Sequence, residues 1–163
     1  MDDCEWSIEF LKGIGEIPLL WVEEPFRENY EDGKKLRKWM DENGFKNTLY
    51  ADGEANPDHE LCMKMGKEGI MNAYLPDIRS FGFTRWRHLI PELKSYNMLA
   101  SPHAWGSMLK THYNTHLSAA YGNLITIEGV TCFSDDIDFG NYKIINGKIQ
   151  VSEAPGFGMS LLI

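Results

Sequence analysis

The feature that most constrains the fold is a repeat of short apolar runs, each closed by an ionisable residue and separated by stretches with helical periodicity. Pro18-Leu19-Leu20-Trp21-Val22 ends in Glu23-Glu24-Pro25, Thr48-Leu49-Tyr50-Ala51 in Asp52-Gly53-Glu54, and Ala73-Tyr74-Leu75 in Pro76-Asp77. Met98-Leu99-Ala100 ends in Ser101-Pro102-His103, and Leu124-Ile125-Thr126-Ile127 in Glu128. Runs this short, without polar alternation, suit strands buried on both faces, as in a parallel sheet covered by helices.

The segments between them read as those helices. Ile8, Phe10, Leu11 and Ile14 recur at helical spacing over 7–15, and Leu36, Trp39 and Met40 share a face over 29–43, which stops at Gly44. Asn56 and Pro57 offer an N-cap and first-turn proline for a helix carrying Leu61 and Met65. Further helices are expected over 83–95, kinked or ended in part by Pro91, and over 105–120. Asn146-Gly147 between two apolar pairs is a hairpin turn signal, so 142–163 reads as a hairpin and tail. With no linker or low-complexity stretch, 1–163 reads as a single domain.

Strand-end groups Glu23, Glu54, Asp77, His103 and Glu128 follow one another roughly every 25 residues, which fits a (β/α) barrel whose strands bring catalytic groups to one face. A doubly wound sheet would collect its ligand at a single switch point, usually with a Gly-rich phosphate turn, and no GxGxxG or GxxxxGK[ST] occurs.

Composition removes other classes. With 24 acidic against 16 basic side chains and net charge −8, the chain lacks the basic stripe that grips a phosphate backbone, which argues against nucleic acid as a partner. No apolar run approaches a membrane span, and MDDCEWS lacks the character of a signal peptide, so a cytoplasmic protein is expected. Cys4, Cys62 and Cys132 are far apart with no CxxC, and read as reduced, packed thiols. His112 and His116, four apart on a helix, lack the glutamate of HExxH and read as packing or surface residues. Trp39, Trp86, Trp105, Met63 and Met65 are expected in the core, and Asp52 as a turn former before Gly53.

WVEEPF (21–26), ADGE (51–54), LPDIRSFGFT (75–84), SPHAWGS (101–107), TIEG (126–129) and GKIQVSEAPGFGM (147–159) together resemble the enolase superfamily, in its mandelate racemase and acid-sugar dehydratase branch. The resemblance implies the C-terminal part, about five β/α units, of a (β/α)7β barrel, lacking the capping domain and first strands. It places metal-binding glutamates at Glu23 and Glu54, a base at His103, its orienting aspartate at Asp77, and a substrate-contacting glutamate at Glu128. The chemistry it implies is Mg²⁺-assisted removal of the proton alpha to a carboxylate, through an enediolate. Dehydration of a sugar acid is preferred, because it is the commoner activity of the branch, with racemisation as the alternative. The branch's second-strand lysine motif is absent, and its third metal ligand falls at or before Asp2 or Asp3. A half-barrel leaves a strand edge and an inner face uncovered. The chain alone is therefore expected to be inactive, and to form a homo-oligomer or pair with another chain.

Overall fold

The computed structural model describes residues 3–128, 134–140 and 142–162, and these fall into two compact units. One comprises Met1–Pro76 with Glu92–Ala100, the other Asp77–Pro91 with Ser101–Ile163.

The first unit is built on a parallel sheet in the order β1 (Trp21–Glu23), β2 (Leu49–Asp52), β3 (Ala73–Tyr74), β4 (Leu99–Ala100). Helices α1 (Cys4–Ile14), α2 (Tyr30–Glu42) and α3 (His59–Lys67) alternate with the strands. Side chains on a strand point to alternate faces, so the register Trp21↔Leu49, Glu23↔Ala51, Ala51↔Ala73, Ala73↔Leu99 puts these residues on one face. Ala51, Ala73 and Leu75 form a core there with Trp21 and Leu99. Val22 enters a larger core on the helix side, with Leu11, Leu36, Met40 and Phe45. Tyr50, Asp52 and Tyr74 share that second face. Where β2 begins, buried Arg37 ties the backbone together by donating to the Thr48 and Phe45 carbonyls and to Asn72 Oδ1.

Helix α3 begins later than its sequence signals suggest. Asp58 is the cap, its Oδ1 accepting from Leu61 N at 3.0 Å, while Asn56 sits at φ 54° in the preceding turn with its carbonyl held by Arg27. In the second unit a one-turn helix, α4 (Ile78–Phe81), comes directly after Asp77. Helix α5 (Phe83–Ser95) has residues in both units and runs through Pro91 without ending. Pro91 and Arg87, whose carbonyl loses its helical donor, both lie on the exposed face, so water can take the freed oxygen.

Helix α6 (Met108–Tyr121) begins after Ser107, whose side chain makes no capping hydrogen bond, and is closed by Gly122 at φ 71°. Its buried face is mostly polar: Thr111, His112, Asn114, Thr115 and Leu117. The expected strand at 124–127 does not form. Leu124 makes an isolated bridge, and side chains hold the residues after it: Ser101 Oγ lies 2.9 Å from Thr126 Oγ1, and Thr111 Oγ1 donates to the Glu128 carbonyl. A pairing that local periodicity does not signal joins β5 (Ile137–Asp138) to β8 (Ser160–Leu161), antiparallel. The hairpin of β6 (Ile144–Ile145) and β7 (Lys148–Ile149) turns at Asn146 and Gly147, both at positive φ.

Among the tryptophans and methionines assigned to the core, Trp86, Met63 and Met65 are buried and Trp39 is half-buried, but Trp105 is 72% exposed. It stands in the loop between His103 and α6. Cys4 and Cys62 are buried free thiols, as expected; Cys132 and Asp2 lie outside the described residues. No helix among the described residues is long and apolar enough to cross a membrane.

Candidate active site

In the first unit the strands are parallel, so the ends of β1 and β2 lie at one edge of the sheet. Glu23 closes β1, exposed, on the Trp21–Ala51 face. Glu54 is exposed on the loop after β2. The residue that links them is Glu24. Its backbone is held at φ 40°, its N–H donates to the Ala51 carbonyl, and its Oε1 accepts from Glu54 N at 2.8 Å and Ala55 N at 2.7 Å. Glu24 therefore fastens the loop that presents Glu54 to the end of β1. Gly53 makes this turn possible: at φ 118° its Cα packs so close to the Tyr74 ring that a Cβ would sit 2.5 Å from it.

Two exposed carboxylates on adjacent strand ends are hard oxygen donors with solvent-facing room for water ligands, a donor set that suits Mg²⁺. Glu24, whose Oε1 accepts from two backbone amides, supports the loop. Asp3 is likewise committed: it caps α1, accepting from Trp6 N at 2.7 Å.

Asp52, expected as a turn former before Gly53, is a buried residue of β2. It is 2% exposed, on the helix-side face, with Tyr50 Oη 3.1 Å from its Oδ2. Burial, and after it the Glu28 carboxylate, pushes its carboxyl up to about 7. Burial also pushes up the thiol of Cys62, whose Sγ lies within 4.8 Å of ligand oxygens of Asp52 and Glu28.

In the second unit, Asp77 and His103 come together. Asp77 Oδ1 caps α4 by accepting from Arg79 N at 2.8 Å and Ser80 N at 2.9 Å, and Oδ2 lies 3.1 Å from His103 Nδ1 and is bonded by Lys110 Nζ. The His103 carbonyl in turn accepts from Ile78 N at 3.0 Å, which locks the two loops together. Burial by itself would raise the Asp77 carboxyl, but Lys110, the two backbone amides and His103 outweigh it and hold the group at about 2. An ionised carboxylate only accepts, so the neutral imidazole carries its proton on Nδ1 and its lone pair on Nε2. Glu128 Oε2 is 4.0 Å from that Nε2 and accepts from Ala104 N.

Lys110 is the residue that sequence reasoning missed here. A cation in the first turn of a helix opposes the helix dipole, and that was its one local sign. The histidines of α6 pack instead: His112 is fully buried and stacks on Tyr142, and His116 Nε2 is 2.8 Å from Tyr142 Oη, which donates to the Phe157 carbonyl.

Residues 3–162 match the family described as enolase C-terminal domain-like. The chain belongs to that family. Enolase-like solved structures agree with it. A mandelate racemase/muconate lactonizing protein from Geobacillus sp. Y412MC10, complexed with magnesium and tartrate, is 30% identical, with TM-score 0.90 over 98% of this chain and 41% of its own. A galacturonate dehydratase from Geobacillus sp., complexed with D-galacturonate and 5-keto-4-deoxy-D-galacturonate, is 30% identical, with TM-score 0.91 over 99% of this chain and 43% of its own. The 3,6-anhydro-D-galactonate cycloisomerase from Zobellia galactanivorans, 24% identical with TM-score 0.75 over 98% of this chain and 45% of its own, shares the fold. Among curated proteins none matches. The chain thus spans about two-fifths of the enolase-like structures it resembles, as their carboxy-terminal barrel portion, with a parallel α/β sheet.

Proposed function

We propose that this chain is the catalytic half of a Mg²⁺-dependent enzyme that removes the proton alpha to the carboxylate of a sugar acid, most simply a dehydratase. The observation that carries this reading is the His103–Asp77 pair, an imidazole oriented by a carboxylate that stays ionised across the physiological range. His103 Nε2 accepts the alpha proton as a general base. Asp77 fixes the ring orientation and stabilises the imidazolium that results. Lys110 keeps Asp77 ionised, and Glu128 stands beside Nε2 where it contacts the substrate. For dehydration the imidazolium then returns a proton to the departing hydroxyl. Glu23 and Glu54 hold Mg²⁺, which when bound stabilises the negative charge that develops on the substrate carboxylate. The dehydratase reading is supported by the 30% identity to a galacturonate dehydratase, with racemisation as the alternative.

The test is His103→Asn in a protein that joins this chain to the remaining barrel strands. Solvent deuterium exchange at the alpha carbon should fall by about 10² to 10⁴, with Mg²⁺ affinity and circular dichroism unchanged. Exchange at the unsubstituted rate would refute His103 as the base.

A second reading, of a non-catalytic fragment completed by another chain or copy, is favoured by one observation. β1 is an edge strand, and Ile17 and Leu20 beside it, with the stacked Trp6 and Phe10 of α1, are about half exposed or more. Sedimentation of the isolated chain as a stable monomer that exposes no apolar surface to a hydrophobic dye would count against that reading.

A further inference from the structure

The polar cluster behind β2 has no place in the proposed reaction. Asp52 and Tyr50 point to the helix side of the sheet, opposite the face that carries Glu23. There Glu28 of the loop after β1, Asp52 of β2 and Cys62 of α3 each offer one ligand atom, all within 4.8 Å of one another. Asp52 is 2% exposed and Cys62 fully buried, and the Glu28 side chain is 4% exposed.

Buried charges are paired or bind metal, and among the described residues Arg27 is the one cation paired with this cluster. Glu28 Oε1 accepts from Asp58 N at 3.3 Å, but its buried Oε2 receives no hydrogen bond. Arg27 Nε lies 2.8 Å from that Oε2 as an ion pair, off the hydrogen-bonding line, because the guanidinium is aimed at the carbonyls of Ala55 and Asn56. An open pocket of about 230 Å³, lined by Glu24, Phe26, Arg27, Glu28, Asp52 and Ala55, leads to the two carboxylates from solvent.

We propose that Glu28, Asp52 and Cys62 form a second divalent cation site, for a borderline metal such as Zn²⁺, independent of the Glu23 and Glu54 pair. Two carboxylate oxygens and one thiolate are a donor set for Zn²⁺ and Co²⁺, whereas Mg²⁺ avoids sulfur. Metal–oxygen bonds of roughly 2.1 Å and metal–sulfur bonds of roughly 2.3 Å set tetrahedral ligand separations of about 3.5 Å, so side-chain rotations close the site. A water from the pocket completes four ligands. The Tyr50 hydroxyl on Asp52 Oδ2 orients the carboxylate, as an outer-shell partner does. Binding displaces the thiol proton to solvent. The role is structural: the metal ties α3 and the loop after β1 to the strand that leads into Glu54.

The test is titration of the 163-residue chain with Co²⁺ alone, at about pH 8, where fewer protons compete with the metal for the thiol sulfur than at lower pH. A thiolate-to-cobalt charge-transfer band should appear, saturate at one equivalent and be bleached by Zn²⁺. Cys62→Ser should abolish the band, and Glu28→Gln and Asp52→Asn should each weaken Co²⁺ binding by more than about tenfold. Glu54→Gln should leave the band unchanged, which separates this site from the proposed Mg²⁺ site. No thiolate band, a band that survives Cys62→Ser, or unchanged affinity in both carboxamide variants would overturn the proposal. If circular dichroism shows Cys62→Ser unfolded, the two carboxamide variants decide.

Discussion

Asp52 and Asp77 stand in corresponding places, each at or just past the end of a strand, and meet opposite fates. Asp52, in the first unit, is taken out of water beside another carboxylate and a thiol, and its carboxyl rises to about 7. Asp77, in the second, is also largely buried, yet a lysine, a histidine and two backbone amides hold it at about 2. Burial acts on both in the same direction. What the partners donate decides whether the charge survives, and so whether the residue can steer a base or only share a proton or a metal.

The largest expected contrast is in stability. Asp77→Asn leaves the half-buried Lys110 without its counter-charge and should cost about 3 kcal/mol, whereas Asp52→Asn should change stability by less than about 1 kcal/mol near pH 6, where Asp52 is already neutral. Urea unfolding in a chelating buffer reads both. Equal losses would mean that Asp52 is ionised in the folded chain.

Next in size is the pH dependence. Burial, with His116 second, pulls His112 down to about 4. Between there and its ordinary value near 6.5 the unfolded chain binds more protons, so this group adds stability as pH rises through that window, about 3 kcal/mol in all. Asp52 acts in reverse: from about 4 to about 7 the folded chain binds more protons, and stability falls as pH rises. The two slopes oppose each other over nearly the same window. His112→Phe should leave a net fall with pH, and Asp52→Asn a net rise. If either variant kept the parent profile, the group concerned would not carry its assigned shift.

The smallest effects come from single hydroxyls. Tyr50→Phe removes the donor to Asp52 and Tyr142→Phe the bond to the Phe157 carbonyl, each about 1 kcal/mol. The Tyr50 loss should shrink below pH 7, as Asp52 protonates, while the Tyr142 loss should not. Denaturation midpoints at two pH values distinguish them.

Much of this was legible in the chain itself. Short apolar runs alternating with amphipathic segments specify strands and helices through local periodicity, and parallel pairing of β1 to β4 follows from their being buried on both faces. The same pattern places Glu23, Glu54, Asp77 and His103 at or after strand ends, because a residue's position relative to a strand is a one-dimensional property. The roles proposed for them come from the family resemblance of the motifs around them. The run at 124–127 looked the same by composition but forms no strand, because pairing needs a neighbour that the run itself does not encode.

The tertiary structure alone decided the partners. Lys110 meets Asp77 across 33 residues, and Cys62 reaches Asp52 and Glu28 from a helix; neither approach leaves a local periodic trace. Nor could composition say that Asp52 is buried, since one residue of register separates its face of β2 from that of Ala51. Sequence determined which groups stand at the strand ends. Protonation and partnership depend on solvent exclusion and on distances of a few ångströms, which only the folded chain sets.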